Sequence, residues 1–387
     1  MSSGVTRLLS IGHQRRACCL MTALWSWGPA VAVEADSVAR VIEVRLPSQG
    51  NAFATPLRDG NYQVTVKLEG LPGETASIWA EQRRLMADGL EVRKGKPVEY
   101  SFVVNVRNPG LGPLPENATG ATAVRLKPRE IGSASWDDLL SFEVRGARLM
   151  GVRIEPAAVP TLYLAGDSTV TDQRDAPSAS WGQFITRYLD GGIAVANHAE
   201  SGESLKSFVT EGRLDKLLSA LRAGDWVMIQ FGHNDQKTQW PQTYAEASTT
   251  YRDWLRTYIA EVRRRGATPL LVTSPERRNF DADGRIRPTL SDYADAVRAV
   301  AREKQVALID LNAASVRLYE ALGPGLAPSA FADGGNDKTH HNEYGARQLA
   351  RCVIEGLRRA DLSLTGGLEK HIAADAGIFD ASKPLLP

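Results

Sequence analysis

Leu162-Tyr-Leu-Ala-Gly-Asp-Ser-Thr-Val-Thr-Asp172 opens as a short apolar run and breaks into small and polar residues from Gly166 onward. A buried parallel strand that delivers a loop to the top of a sheet reads this way. Ser168 falls just past the strand end, where open α/β sheets carry their chemistry. Alone, such a serine is a turn or helix-capping residue. It becomes a nucleophile only where a base and oxyanion donors come from elsewhere in the chain.

C-terminal to this stretch, strand and helix patterns alternate. Strands are predicted at 162–165, 193–196, 226–231, 269–273 and 306–311, and helices at 181–189, 207–221, 244–265, 290–304 and 343–359. This predicts an α/β region over 160–362, a parallel sheet with helices on both faces, followed by a weakly patterned tail at 363–387. N-terminal to it, 36–155 is β-rich. Alternating runs at 41–46, 62–68, 76–80, 100–107, 123–126 and 140–144 are separated by turns rich in Gly, Pro and Asn, the pattern of an antiparallel β-sandwich. Glu155-Pro-Ala-Ala-Val-Pro160 reads as the linker.

Residues 1–35 read as a signal peptide: Arg7, Arg15 and Arg16 precede an apolar run with Leu20, Met21, Leu24 and Trp25, then small residues around Ala30 to Ala35. The run is short for a membrane span and Gly28-Pro29 interrupts it, so a secreted or periplasmic protein, free of the membrane after signal removal, is expected. The formal charge of +1 gives no electrostatic case for nucleic acid. Of the three cysteines only Cys352 lies beyond the signal, so no internal disulfide forms; its helical apolar context reads as a small buried hydrophobe.

Four loops carry the chemistry: Gly166-Asp-Ser-Thr169, Asn197-His-Ala-Glu-Ser-Gly-Glu-Ser204, Phe231-Gly-His-Asn-Asp235, and a segment ending Asp337-Lys-Thr-His-His341. An ester carbonyl attacked by Ser168 develops negative charge, which the Ser168 and Gly202 N–H groups and the Asn234 amide can stabilise. His340 can take the serine proton, and Asp337, three residues earlier, can orient the imidazole; the Asp-x-x-His register favours His340 over His341. Without the Gly-x-Ser-x-Gly elbow, the α/β-hydrolase assignment fails. A metal site of Asp337, His340 and His341 lacks a helical His-x-x-x-His spacing or a cysteine set, so no metal or other cofactor is expected.

The four ordered blocks resemble the SGNH (GDSL) hydrolases. Ala165-Gly-Asp-Ser-Thr-Val170, Phe231-Gly-His-Asn-Asp235 and Asp337-Lys-Thr-His-His-Asn-Glu-Tyr-Gly-Ala346 are similar to those of rhamnogalacturonan acetylesterases, carbohydrate esterase family 12. The resemblance implies a flavodoxin-like sheet, a nucleophile at Ser168, a base at His340 oriented by Asp337, and an oxyanion hole completed by Gly202 and Asn234. It also implies acetyl removal from a pectic polysaccharide by a monomer or small homo-oligomer, with a galactose-binding-like sandwich in front.

Lys206, Arg277 and Arg278 in or beyond the strand-end loops are candidate grips for a uronate carboxylate, and Trp240 a stacking platform for a sugar ring. Glu203 stands where related esterases often carry a basic residue, which weakens the expectation of an acidic substrate there. Two rival readings are a lipase or thioesterase of the same fold, and a glycan-binding protein with an inactive hydrolase domain.

Overall fold

The computed structural model describes residues 31–32, 41–45, 50–71, 74–114, 116–117 and 120–387. The predicted signal peptide lies outside the described residues except for Val31–Ala32.

The front of the chain builds β1 (Val31–Ala32), β2 (Ile42–Arg45), β3 (Ala52–Pro56), β4 (Gly60–Gly70), β5 (Ala76–Ala80), β6 (Arg84–Leu90), β7 (Val98–Val106), β8 (Leu139–Arg145) and β9 (Ala147–Pro156). They form two sheets, in the orders β1-β3-β8-β5-β6 and β2-β9-β4-β7, antiparallel apart from the β1–β3 pair. Inward residues of both sheets, among them Phe53, Val64, Val66, Ile78, Phe142 and Val152, share one core. The pattern at 123–126 forms no strand and makes only an isolated bridge from Ala123 to Gly110. Strands β3, β6 and β9 were not read from the sequence; each mixes polar and small residues in a way that blurs the two-residue period.

The remainder builds β10 (Thr161–Gly166), α1 (Trp181–Phe184), β11 (Ala194–Asn197), α2 (Leu205–Thr210), α3 (Arg213–Ala220), β12 (Trp226–Gln230), α4 (Thr250–Arg264), β13 (Thr268–Val272), α5 (Ser291–Lys304), β14 (Ala307–Ile309), α6 (Leu311–Leu326) and α7 (Glu343–Arg359). The strands pair in parallel in the order β11-β10-β12-β13-β14. Successive side chains of a strand face opposite sides. Leu162 and Leu164 therefore pack with Trp181, Leu318 and Leu349, while Tyr163 and Ala165 pack with Phe208, Tyr258 and Val297. Both faces are covered, which is why the strands read as unbroken apolar runs. The order reverses between β10 and β12, and the crevice at such a switch point is where these sheets place ligands.

Several sequence expectations change: the helix expected at 181–189 is α-helical only to Phe184 and then tightens into a 3-10 turn, and the one expected at 244–265 begins at Thr250. The single helix at 207–221 is two, α2 and α3, because Gly212 adopts a left-handed φ of 72° between them. Helix α6 was missed because it follows β14 with only Asp310 between; that carboxylate accepts from the Ala313 N–H and caps the helix. The tail at 363–387 is packed: Leu368, Phe379 and Ala381 join the core, and Trp226 Nε1 donates to the Thr365 carbonyl at 2.9 Å.

The front sheets are also packed on the parallel-sheet region. Trp79 and Leu85 belong to its core, and the Trp79 ring meets Phe184 edge-on at 5.9 Å.

Candidate active site

Strand β10 ends at Gly166 and the chain turns at once. The Asp167 carboxylate, fully buried, accepts from the Thr169 N–H at 2.9 Å and the Thr169 hydroxyl at 2.8 Å. Its other oxygen lies 3.3 Å from His233 Nδ1. Burial raises the Asp167 pKa, but His233 and Thr169 outweigh it and hold the carboxyl below its ordinary value. The Ser168 carbonyl accepts from Ser180 Oγ at 2.6 Å and Gln173 Nε2 at 2.7 Å. These contacts hold the turn, and Ser168 itself is buried within it.

His340 Nε2 lies 2.9 Å from Ser168 Oγ, and His340 Nδ1 lies 2.8 Å from Asp337 Oδ2. The second Asp337 oxygen accepts the N–H groups of Thr339 at 2.7 Å and His340 at 2.8 Å. Burial raises the Asp337 pKa, but these N–H groups and the His340 ring prevail and hold it below the usual carboxylate range. An ionised Asp337 selects the tautomer with hydrogen on His340 Nδ1, which leaves Nε2 free to accept the serine proton. His340 has 38% of its side chain exposed, so the pair opens to solvent.

His341 points the other way. It is buried between Tyr319 and Phe331, its Nε2 lies 2.7 Å from the Tyr319 hydroxyl, and burial pushes its pKa down to about 3. It is a neutral core residue.

The second and third loops flank Ser168. Gly202 has a φ of 86°, left-handed backbone that favours glycine, and its N–H meets no internal acceptor among the described residues. The Asn234 amide Nδ2 donates to the Glu203 carbonyl at 2.8 Å, leaving its second hydrogen available. The Ser168, Gly202 and Asn234 donors therefore lie in the loops that follow the neighbouring strands β10, β11 and β12. Among the described residues, no group of three His, Cys, Asp or Glu side chains is placed to hold a metal ion.

The residues read as substrate contacts divide. Trp240 is 45% exposed, with the Lys237 ammonium 4.7 Å from its ring centre. Lys206 Nζ is committed to the Pro241 carbonyl at 2.7 Å. Arg277 bonds the Thr289 hydroxyl at 3.1 Å. Arg278 is not a free cation: its Nη2 holds the carbonyls of Gly335 at 2.5 Å and Asp337 at 3.3 Å, bracing the loop that carries Asp337 and His340. Glu203 does not face the crevice. Its carboxylate is buried against Lys127, Arg213 and the Ser207 hydroxyl, so it sets no charge on a substrate path.

Sequence reading missed Gln173, Ser180 and Lys237. Lys237 Nζ donates to Asn234 Oδ1 at 2.7 Å. Its position three residues after Asn234 was the one available signal.

The profile of the GDSL-like Lipase/Acylhydrolase family matches residues 164–348. Rhamnogalacturonan acetylesterase RhgT of Bacillus subtilis (strain 168) is 42% identical over 216 residues, 52% of this chain and 91% of that protein. The probable rhamnogalacturonan acetylesterase YesY of the same organism is 38% identical over 213 residues, 54% of this chain and 98% of that protein. The crystal structure of protein YxiM of Bacillus subtilis is similar with a TM-score of 0.51 at 26% identity, covering 81% of each chain. That share reaches past the parallel sheet into the front sheets. The five-stranded parallel sheet with its helices is the SGNH-hydrolase fold, and the chain belongs to the GDSL-like Lipase/Acylhydrolase family as a carboxylic ester hydrolase.

Proposed function

We propose that the protein removes acetyl groups from a pectic polysaccharide of the rhamnogalacturonan type through an acetyl-enzyme on Ser168. The observation that carries this reading is the continuous Asp337–His340–Ser168 chain, with links of 2.8 and 2.9 Å. The names of the relatives supply the substrate class.

Ser168 Oγ attacks the acetyl carbonyl as its proton passes to His340 Nε2. The negative charge that forms on the carbonyl oxygen is held by the Ser168 and Gly202 N–H groups and the Asn234 amide. Collapse breaks the bond to the sugar oxygen, which takes the proton back from His340. Water then attacks the acetyl-serine with His340 as base, and acetate leaves. Solvent exposure of His340 suits an ester carried on a polymer. In this reading the front sheets are a galactose-binding-like sandwich, and the arginine-led apolar start of the chain directs the enzyme to the periplasm or outside the cell.

Acetate release from acetylated rhamnogalacturonan, homogalacturonan and xylan tests the substrate, with Ser168→Ala as the control. Release is expected fastest from rhamnogalacturonan and absent in the variant. Equal rates on all three polymers overturn the substrate. Turnover rising for acyl chains beyond butyrate points instead to a lipase or thioesterase.

A further inference from the structure

Pro128 to Glu130 forms a single helical turn in the loop between β7 and β8, and it sits against the loop that carries Gly202. Lys127 Nζ donates to the Ser201 carbonyl at 2.8 Å, and Arg129 Nη2 donates to the same oxygen. That carbonyl and the Gly202 N–H are the two ends of one peptide group. The group is planar and trans, so its C=O and N–H point in opposite directions. Holding the carbonyl on one side aims the N–H on the other.

We propose that the front β-region completes the oxyanion hole: Lys127, assisted by Arg129, is a positioning residue that aims and polarises the Gly202 N–H. The inference rests on the esterase reading of Ser168. A cation on a carbonyl draws electron density toward oxygen and makes the N–H of that peptide a stronger donor, the cooperative strengthening seen in hydrogen-bond chains. The two cations are not a loose positive patch. Lys127 pairs with Glu203, and Arg129 Nε bonds Glu200 at 2.6 Å, so each bridges the peptide and a flanking carboxylate of the same loop.

The clamp is itself anchored. Glu130 accepts the Lys127 N–H at 2.8 Å, Trp136 Nε1 at 2.9 Å and Arg213 at 3.0 and 2.5 Å. Arg213 is fully buried and reaches Glu203 at 3.5 Å. Glu203 closes the circuit, because its main-chain carbonyl receives the Asn234 amide. The Gly202 and Asn234 donors are thus tied to one buried set of charges that spans both regions of the molecule. Such charges are costly to bury and are disrupted by removal of a single partner.

The test is steady-state hydrolysis of p-nitrophenyl acetate by full-length Lys127→Met, Lys127→Arg and Arg129→Ala. Rates are counted per active site titrated with a fluorophosphonate, beside thermal melts and Ser168→Ala. Lys127→Met is expected to lower kcat about 10- to 100-fold, with KM and the acid limb of the pH profile unchanged. Lys127→Arg is expected to restore most of the rate. Arg129→Ala, whose side chain is half exposed, is expected to lose several-fold and to keep the wild-type melt. Unchanged kcat per titrated site in both Lys127→Met and Arg129→Ala overturns the inference. So does a loss in Lys127→Met that falls only in step with the number of titratable sites and that arginine fails to rescue. Either result leaves the esterase reading intact if Ser168→Ala is inactive; turnover surviving in Ser168→Ala overturns that reading itself.

Discussion

Lys237 Nζ stands 2.7 Å from Asn234 Oδ1, and through that contact it decides which way the Asn234 amide faces. A flipped amide would turn its NH2 toward the ammonium and its oxygen toward the Glu203 carbonyl, both repulsive. The pair therefore fixes Nδ2 on the side of the Glu203 carbonyl, away from Lys237. Lys237→Met is expected to lower kcat on p-nitrophenyl acetate about tenfold with little change in KM, and Asn234→Ala about 100- to 1,000-fold. Equal kcat for Lys237→Met and the wild type would remove the amide-orienting role.

In the proposed mechanism His340 serves as base only while its Nε2 carries no proton. Asp337 is held below its ordinary pKa, so it stays ionised through the range where a histidine protonates. A base that must be neutral stops working as pH falls, so kcat/KM should decline on the acid side with a single proton. Asp337→Asn is expected to keep the fold and lose about 10,000-fold in kcat, because the carboxamide no longer selects the Nδ1–H tautomer. A two-proton acid limb, or an Asp337→Asn enzyme within tenfold of the wild type, would contradict the assignment.

Asp235 makes stability depend on pH in the opposite sense to a salt-bridged carboxylate. Its side chain is buried, Oδ1 accepts the Leu205 N–H at 3.0 Å, Oδ2 has no hydrogen-bond partner, and burial pushes the pKa up to about 8. The unfolded chain releases this proton near pH 4, whereas the folded protein keeps it until about pH 8. Between those values the native state binds more protons than the unfolded one, so stability falls as pH rises. Above the folded value the contribution levels off. Asp235→Asn should flatten the decline in urea midpoint from pH 5 to pH 8, a span chosen to lie inside this window. Parallel curves for the two proteins would refute it.

Arg84 of β6 pairs with Asp172 at 2.6 Å, with each side chain 2% exposed. Removing one partner leaves the other charge buried and unpaired. Arg84→Ala should cost about 3–5 kcal/mol in urea unfolding. Since the pair joins the front sheets to the nucleophile loop, wild-type unfolding should be one transition, seen together by tryptophan fluorescence and far-UV circular dichroism. A variant within about 1 kcal/mol of the wild type would show that the pair adds no net stability.

The parallel strands were legible because burial on both faces leaves unbroken apolar runs, as in Trp226-Val-Met-Ile-Gln230, fully buried along its length. Helix α7 was legible from its helical apolar repeat; its cap, Asn342 accepting from the Gly345 N–H, emerged only in the structure. The front strands that mix small and polar residues were not, since half-buried sheet positions tolerate both. The candidate catalytic types were readable because Ser168, Gly202 and Asn234 sit in short blocks beyond strand ends, and Asp337 and His340 share one block before α7.

The sequence by itself determined which residues reach the crevice. Chain direction and strand order put Ser168, Gly202 and Asn234 at the same ends of neighbouring strands, and the three-residue step from Asp337 to His340 builds their contact locally. Only the tertiary structure decided what surrounds them. Glu203 faces inward, and Arg278 braces a loop where a free cation was expected. Lys127 reaches the loop that carries Gly202 across 74 residues of chain. Contacts at such separation follow from how two cores dock, and no local period, cap or turn preference encodes that docking.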